Sequence, residues 1–184
     1  MDDGFNERMA AILKVLKARE IFKVDNTPCR IEEGLYLGSL GAANMKSTLK
    51  SLKVTHILSI TSSLAQSHPN DFVYKTIQVP DKADANITQY FDECFKFIDE
   101  ARARGGAVLV HCFAGRSRSV TIVVAYLMFK NGKSLSEAMG YVKSKRAVAS
   151  PNYGFMLQLQ EYGTSLQGNK CRAGYESHKS DASV

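Results

Sequence analysis

Short runs of apolar and β-branched residues along the chain predict strands. Five such runs are bounded by glycine, proline or polar residues, and they cover residues 29–31, 35–37, 55–60, 72–79 and 107–110. Glu33-Gly34 separates the first two runs, which is typical of a hairpin. The later runs are separated by stretches long enough to hold crossover helices.

Apolar residues recur at helical spacing between and after these strands. The predicted helices cover residues 39–52, 88–102 and 120–128, with two more beginning near residues 134 and 150. Ser134 with Glu137 is a capping-box sequence, and Ser150-Pro151 predicts the N-cap and first position of the last helix. Strands that alternate with helices predict an α/β domain with a central, mostly parallel twisted sheet of about five strands and helices on both faces.

The two ends of the chain differ from its middle. Residues 1–24 form a basic, amphipathic helical pattern, so residues 1–26 are predicted to be an N-terminal helix outside the main domain, residues 27–167. Three roles remain open for that helix: docking on the domain, which we favour, binding calmodulin, or lying on a membrane surface. Residues 168–184 are rich in glycine, serine and charge without periodicity, which predicts a disordered tail.

Composition narrows the class of protein. The chain has 184 residues, 45% of them hydrophobic, and a net charge of +6, which suits one globular domain that attracts acidic or phosphorylated substrates. Its basic residues do not alternate with aromatic ones, so nucleic acid is not an expected partner. Four widely spaced cysteines and the lack of a membrane-spanning apolar run favour a reduced protein in the cytoplasm, the nucleus or both.

Residues 107–119 carry the candidate chemistry. A short buried strand, a small polar loop and the start of an apolar helix form an anion site, because loop N–H groups and a helix N-terminus converge there. Cys112 begins the loop and Arg118 ends it. A thiol in such a place ionises readily, and a guanidinium can hold two phosphate oxygens. The pattern therefore predicts thiolate attack on a phosphoryl group.

The sequence His111-Cys112-x5-Arg118-Ser119 resembles the signature loop of the protein tyrosine phosphatase superfamily. Ala114-Gly115-x-Ser117-Arg118-Ser119 is similar to its small dual-specificity branch, and the resemblance covers roughly residues 29–165. It implies a phosphatase-like fold and a phosphocysteine intermediate, with no metal or other cofactor. The basic N-terminal helix adds a resemblance to calmodulin-binding plant members of that branch.

Residue roles follow from that resemblance and from position. Cys112 is the expected nucleophile and Arg118 the phosphate clamp, while Ser119 is expected to hydrogen-bond the Cys112 sulfur and help it leave. The expected substrate-binding loop consists of Phe113, Ala114, Gly115, Arg116, Ser117 and Arg118. His111 and Asn152, the latter in Ser-Pro-Asn-Tyr-Gly-Phe, are expected to support the loop.

The departing oxygen of the substrate needs a proton, so a carboxylic acid is sought near the loop. Asp81 lies where a predicted strand ends and a loop begins, a common position for a catalytic group. Its spacing to Ile87 and Tyr90-Phe91 matches the dual-specificity pattern, and Asp84 matches less well. We therefore expect Asp81 to be the general acid.

The resemblance also bears on the substrate. The chain has no Trp and no segment for a deep phosphotyrosine wall, which implies a shallow pocket open to phosphoserine, phosphothreonine and phosphotyrosine in proteins, mitogen-activated protein kinases among them. A phosphoinositide phosphatase is an alternative, although only Arg116 adds a cation inside the loop. A catalytically weak phosphopeptide-binding scaffold is a second alternative.

Overall fold

The computed structural model describes residues 9, 25–61 and 66–180, and side chains as far as residue 168. The predicted N-terminal helix over residues 1–24 lies, Met9 apart, outside the described residues. Its three alternative roles therefore remain predictions.

The centre of the molecule is one five-stranded sheet. Its strands are β1 (Cys29–Glu32), β2 (Leu35–Gly38), β3 (Val54–Ile60), β4 (Val73–Ile77) and β5 (Ala107–His111). Their order is β1-β2-β5-β3-β4, and only the β1–β2 hairpin is antiparallel. The predicted mostly parallel sheet is confirmed. Because β5 lies at its centre, the loop after β5 opens at the middle of the sheet's carboxyl edge, where ligands bind in open α/β folds.

Six helices and one 3-10 turn connect and cover the strands within the described residues. They are α1 (Leu40–Ala43), α2 (Lys46–Ser51), the 3-10 turn Thr88–Tyr90, α3 (Phe91–Ala103), α4 (Arg118–Asn131), α5 (Leu135–Lys145) and α6 (Tyr153–Ser180). The single helix predicted over residues 39–52 is two helices. Asn44 Nδ2 donates to the Leu40 carbonyl at 2.8 Å, and such a side-chain bond to the backbone interrupts helical pairing.

Alternate residues of β5 pack into two cores. Val108 and Val110 face the larger core, which α3, α4, α5 and α6 cover. Ala107 and Leu109 face the smaller core beneath α1 and α2. Helices therefore lie on both faces, as predicted, and α4 is buried along Arg118–Met128. Burial on all sides explains its nearly continuous apolar sequence and fixes its N-terminus against the loop after β5.

The helix ends test the capping predictions. The Ser134–Glu137 capping box is confirmed in both directions. The start predicted at Ser150-Pro151 is wrong: Asn152 Oδ1 accepts from Phe155 N at 2.9 Å and caps a helix that begins at Tyr153. A disordered tail was predicted for residues 168–184, but the backbone of α6 continues beyond Gly168 to Ser180. No proline follows Pro151 to interrupt its backbone hydrogen bonds.

Within the described part of the chain, no helix combines the length and apolar character needed to cross a bilayer.

Candidate active site

The loop between β5 and α4, residues 112–117, has its carbonyl oxygens bound from behind. Leu40 N donates to Phe113 O at 3.1 Å, and Ser150 N donates to Arg116 O at 2.7 Å. Arg146 donates from Nη2 to Ala114 O at 3.3 Å and from Nε to Gly115 O at 2.7 Å. In a trans peptide the N–H points opposite to the C=O. The N–H groups of the loop therefore face the other side, beside Cys112 and the start of α4.

Gly115 makes this arrangement possible. Its φ is +60°, a region that side chains rarely adopt. A Cβ there would lie 2.5 Å from Gly38 O and 2.6 Å from Arg146 Nη2. A larger residue would push the loop away from the strand and from the arginine that hold it.

Cys112 lies at the bottom of the loop, with only 1% of its surface exposed. Ser119 is fully buried in the first turn of α4, and its Oγ donates to Cys112 Sγ at 3.2 Å. The sulfur therefore has a hydroxyl donor within the protein. Cys29, Cys94 and Cys112 are free thiols.

Arg118 begins α4 and turns its guanidinium toward the loop after β4. Nη1 donates to Val79 O at 3.4 Å, and Nε lies 3.6 Å from Asp81 Oδ2. Nε has no hydrogen-bond partner among the described residues, although it is buried. An unsatisfied donor on a buried cation beside the loop is available to an incoming anion.

Asp81 is held at the loop by its other oxygen. Oδ1 accepts from Ser117 Oγ at 2.6 Å and from Asn152 Nδ2 at 2.9 Å. The backbone N–H of Asn152 donates to Ser117 Oγ at 3.1 Å, which closes a small network. Asp84, the less favoured alternative acid, is exposed and has no hydrogen bond or ion pair with any described residue.

The rest of the segment that carries Asp81 packs against α6. Gln158 accepts from Ile87 N through Oε1 and donates to Ala85 O through Nε2, both at 2.9 Å. At Gly154 a Cβ would lie 1.8 Å from Ala83 O. Helix α6 therefore fixes residues 81–87 through Asn152, Gly154 and Gln158. The sequence pattern pointed to Asn152 but not to the other two.

His111 ends β5 behind the loop. It is buried, and its Nε2 shares a hydrogen bond with Ser59 Oγ at 2.6 Å. Burial, together with the charge of Arg118, lowers the pKa of His111 to about 4, although the backbone of Cys112 opposes the shift. The ring is therefore neutral at pH 7, and its hydrogen bond goes to β3. The support of the loop by His111 stays a prediction.

Arg116 lies exposed at the mouth of the loop. Its Nε donates to Val148 O at 3.3 Å, which directs the guanidinium along the rim. Tyr153, next to Asn152, is 75% exposed, and Val148 is 49% exposed. The mouth therefore combines one cation with an apolar and an aromatic surface.

Sequence reasoning missed Arg146, which is buried at the end of α5. No local signal in the sequence distinguishes a buried arginine from a surface one. Asp25, its ion-pair partner, falls in the segment that the sequence assigned to the N-terminal helix.

Comparisons with known proteins agree with this geometry. The family model for the dual specificity phosphatase catalytic domain matches residues 35–165. Dual specificity protein phosphatase 1 of Arabidopsis thaliana is 56% identical over 169 residues, which cover 90% of this chain and 85% of the relative. Dual specificity protein phosphatase 1B of the same plant is 55% identical over 139 residues, 76% of this chain and 83% of the relative.

Solved structures of phosphatase-like proteins also resemble this chain. The crystal structure of DUSP15 superposes with a TM-score of 0.71 at 41% identity, and covers 75% of this chain and 88% of its own. The human tyrosine phosphatase-like serine/threonine/tyrosine-interacting protein superposes with a TM-score of 0.73 at 35% identity, over 77% and 99% of the two chains.

Proposed function

The chain belongs to the dual-specificity protein phosphatase family, and we propose that it removes phosphoryl groups from proteins through a phosphocysteine on Cys112. Its class is that of protein tyrosine, serine and threonine phosphatases, which hydrolyse phosphoric monoesters. One observation carries the mechanism: Cys112 Sγ accepts from Ser119 at 3.2 Å beneath a loop whose carbonyls face away.

The first step forms the phosphocysteine. The Cys112 thiolate attacks phosphorus, so the S–P bond forms while the P–O bond to the substrate breaks. Loop N–H groups and Arg118 hold the three equatorial oxygens as their charge redistributes. Asp81, in its acid form, gives its proton to the departing oxygen. Its Oδ2 is free of the Ser117 and Asn152 bonds that occupy Oδ1, so Oδ2 carries that proton.

The second step releases phosphate. A water molecule attacks phosphorus, its proton passes to the Asp81 carboxylate, and the S–P bond breaks. Cys112 leaves as a thiolate, which the Ser119 hydroxyl stabilises through its hydrogen bond. Inorganic phosphate departs, and the enzyme returns to its starting protonation state. This step uses the same residues in reversed roles, as microscopic reversibility requires.

The rim favours a phosphorylated protein segment as the substrate. Arg116 is the loop's single additional cation and is held by Val148 O at 3.3 Å, so it suits a second anionic group beside the reacting phosphate. Val148 and Tyr153 offer a surface for neighbouring side chains. Doubly phosphorylated segments, such as those of mitogen-activated protein kinases, are the finer substrate class that we propose.

The decisive assay compares phosphopeptides with phosphoinositides in the intact protein and in Cys112→Ser. We expect the intact protein to hydrolyse phosphotyrosine, phosphothreonine and doubly phosphorylated peptides, and the variant to bind them without turnover. Retained turnover in Cys112→Ser would contradict the nucleophile. Faster release from phosphoinositides would establish the lipid alternative, and binding by the intact protein without turnover would establish a scaffold.

The rim has its own test in Arg116→Gln. Exposed ion pairs contribute little, so we expect kcat/KM for a doubly phosphorylated peptide to fall about 2- to 5-fold. The rate on a singly phosphorylated peptide should change less. Lys143→Gln, on the surface of α5, is the matched loss of one charge. Equal losses of kcat/KM on both peptides would show that Arg116 does not recognise a second anion.

Calmodulin binding by residues 1–24 and a location in the cytoplasm or nucleus are further proposals. The basic amphipathic pattern supports the first. A calcium-dependent titration of the full chain with calmodulin tests it, and no binding at micromolar concentration would refute it. Imaging of the tagged full chain tests the second.

A further inference from the structure

Arg146 is a buried cation that uses four hydrogen bonds to connect three parts of the molecule. Only 7% of its surface is exposed. Nε and Nη2 donate to Gly115 O and Ala114 O, while Nη1 donates to Asp25 Oδ1 at 3.2 Å. Nη2 also donates to Asp25 Oδ2. The Nη1–Nη2 edge of the guanidinium therefore binds a carboxylate, and the Nε–Nη2 edge binds two consecutive carbonyls of the loop.

Asp25 supplies the charge that makes this arginine stable in the interior. A buried cation without a partner carries a large desolvation penalty, and the two-pronged contact from Asp25 offsets it. The backbone of Asp25 is anchored as well, because Ser39 Oγ donates to its carbonyl at 2.6 Å.

These contacts close a ring behind the loop. Ser39 caps α1 through Ala42 N at 3.4 Å, and the next residue, Leu40, donates its N–H to Phe113 O at 3.1 Å. The carbonyls of Phe113, Ala114 and Gly115 are thus all held by groups that Asp25 and Ser39 position. A carbonyl that rotated inward would take an N–H out of the anion site and place an oxygen there.

We propose that Arg146 and Asp25 are a positioning pair that holds the loop in its oxyanion-binding form, and so sets the affinity of the site for phosphate. The proposal rests on the proposed function only in taking residues 112–118 as the phosphoryl site. Neither residue touches the substrate. Their effect passes through the orientation of the peptide groups at Ala114 and Gly115.

Arg146→Lys tests this directly. Lysine keeps the positive charge beside Asp25, but its single ammonium cannot reproduce the planar fork that spans both carbonyls and the carboxylate. We expect the affinity of a phosphotyrosine peptide, measured by calorimetry in the Cys112→Ser background, to fall about 10- to 100-fold, as for the loss of one or two charge-assisted hydrogen bonds. In the active chain we expect KM to rise.

The matched control is Arg104→Lys, in an arginine that is paired with Glu100 on the surface of α3. It should leave peptide affinity unchanged. All measurements are made well below the melting temperature of each variant, so that the folded fraction is complete. A variant Arg146→Lys that melts earlier but binds the peptide as tightly as the parent would overturn the proposal, since the pair would then serve stability alone.

Asp25→Asn keeps the test decisive if Arg146→Lys does not fold. The amide oxygen still accepts from Arg146, but the compensating charge is gone, so we expect a smaller loss of affinity, about 3- to 10-fold. Unchanged affinity would refute the coupling of Asp25 to the loop. Because the readout is binding and not turnover, the result stands apart from the Cys112 assignment, which fails only if Cys112→Ser remains active.

Discussion

Two arginine–aspartate pairs flank the same loop, and they differ in how tightly each is made. Arg146 and Asp25 meet through two hydrogen bonds, and the arginine side chain is 7% exposed. Arg118 and Asp81 approach only to 3.6 Å, the Arg118 Nε has no hydrogen-bond partner among the described residues, and the Asp81 side chain is 36% exposed. The first pair lies behind the loop and the second lies at its mouth.

The difference matches two roles: one pair supports the loop, and the other takes part in the reaction. A pair in which every guanidinium nitrogen donates a hydrogen bond resists rearrangement, which suits the support of a loop. A pair left incomplete can exchange its partner for a phosphate, and its carboxyl can give and take a proton. Substitutions in the mouth pair should therefore change activity more than stability, and substitutions in the pair behind the loop should change both.

Asp81→Asn should show the largest effect at the mouth. The amide oxygen can still accept from Ser117 and Asn152, so the residue stays in place but has no proton to give. We expect kcat on a phosphotyrosine peptide to fall about 10²- to 10⁴-fold. An aryl phosphate with a very good leaving group needs no proton and should be affected much less.

Asp84→Asn provides the comparison for that experiment, because Asp84 was the alternative acid. It should retain the activity of the parent on both substrates. A strong loss of kcat in Asp84→Asn, or equal losses of kcat on both substrates in Asp81→Asn, would show that Asp81 is not the general acid.

Arg118→Lys should cause the next largest loss of activity. The lysine keeps a charge but loses the planar fork, so we expect kcat/KM to fall about 10²- to 10³-fold, as when an oxyanion donor is removed. The melting temperature should change little, because Arg118 makes one long bond, to Val79 O at 3.4 Å. A large drop in melting temperature would mean that the mouth pair also supports the fold, and the contrast with Arg146 would fail.

Gly154→Ala should have a smaller effect on the same acid. Its Cβ would meet Ala83 O at 1.8 Å, so the segment that carries Asp81 has to move. We expect about a 10-fold loss on the phosphotyrosine peptide, and again less on the good leaving group, as one to two kcal/mol of lost positioning would give.

Gly140→Ala is the matched substitution, since a Cβ at Gly140 in α5 meets nothing within 4 Å. It should keep full activity and raise stability by about 0.5 to 1 kcal/mol, the helix preference for alanine over glycine. If the two variants kept the same activity, α6 would not position the acid.

The mouth pair was predictable from sequence and the pair behind the loop was not. Cys112, Arg118 and Ser119 lie in one short segment, where strand, loop and helix patterns reveal their arrangement. Asp81 could be chosen because it follows a predicted strand and because its spacing to Ile87 and Tyr90-Phe91 matches the dual-specificity pattern. Arg146 and Asp25 are separated by 121 positions, and only the tertiary fold brings them together.

The same reasoning explains the errors at the helix ends. Ser150-Pro151 has the composition of a helix start, but the side chain that accepts from Phe155 N and caps α6 is that of Asn152. Ser150 instead donates its N–H to Arg116 O at 2.7 Å, and Asn152 also donates to Asp81. The local preference of Ser150-Pro151 for a helix start is therefore not followed, and Ser150 contacts the active-site loop instead.

His111, which lies behind the loop, gives a prediction about stability and pH. Burial and the nearby Arg118 charge lower its pKa from 6.5 to about 4. The unfolded chain therefore binds more protons than the native one between these values, so stability falls as pH falls from about 6.5 to 4. The loss should be at most about 3 kcal/mol. Unfolding of the parent and of His111→Asn, followed from pH 7 to 4, should differ in slope within that window.

The comparison isolates His111 because His56, the other buried histidine of the described residues, is present in both proteins. Burial also lowers the pKa of His56, so the variant should keep part of the acid sensitivity. Replacing Arg118 by methionine should then make His111 easier to protonate, since it removes the positive charge that opposes a second one. Parallel stability curves for the parent and His111→Asn would show that His111 does not titrate with folding.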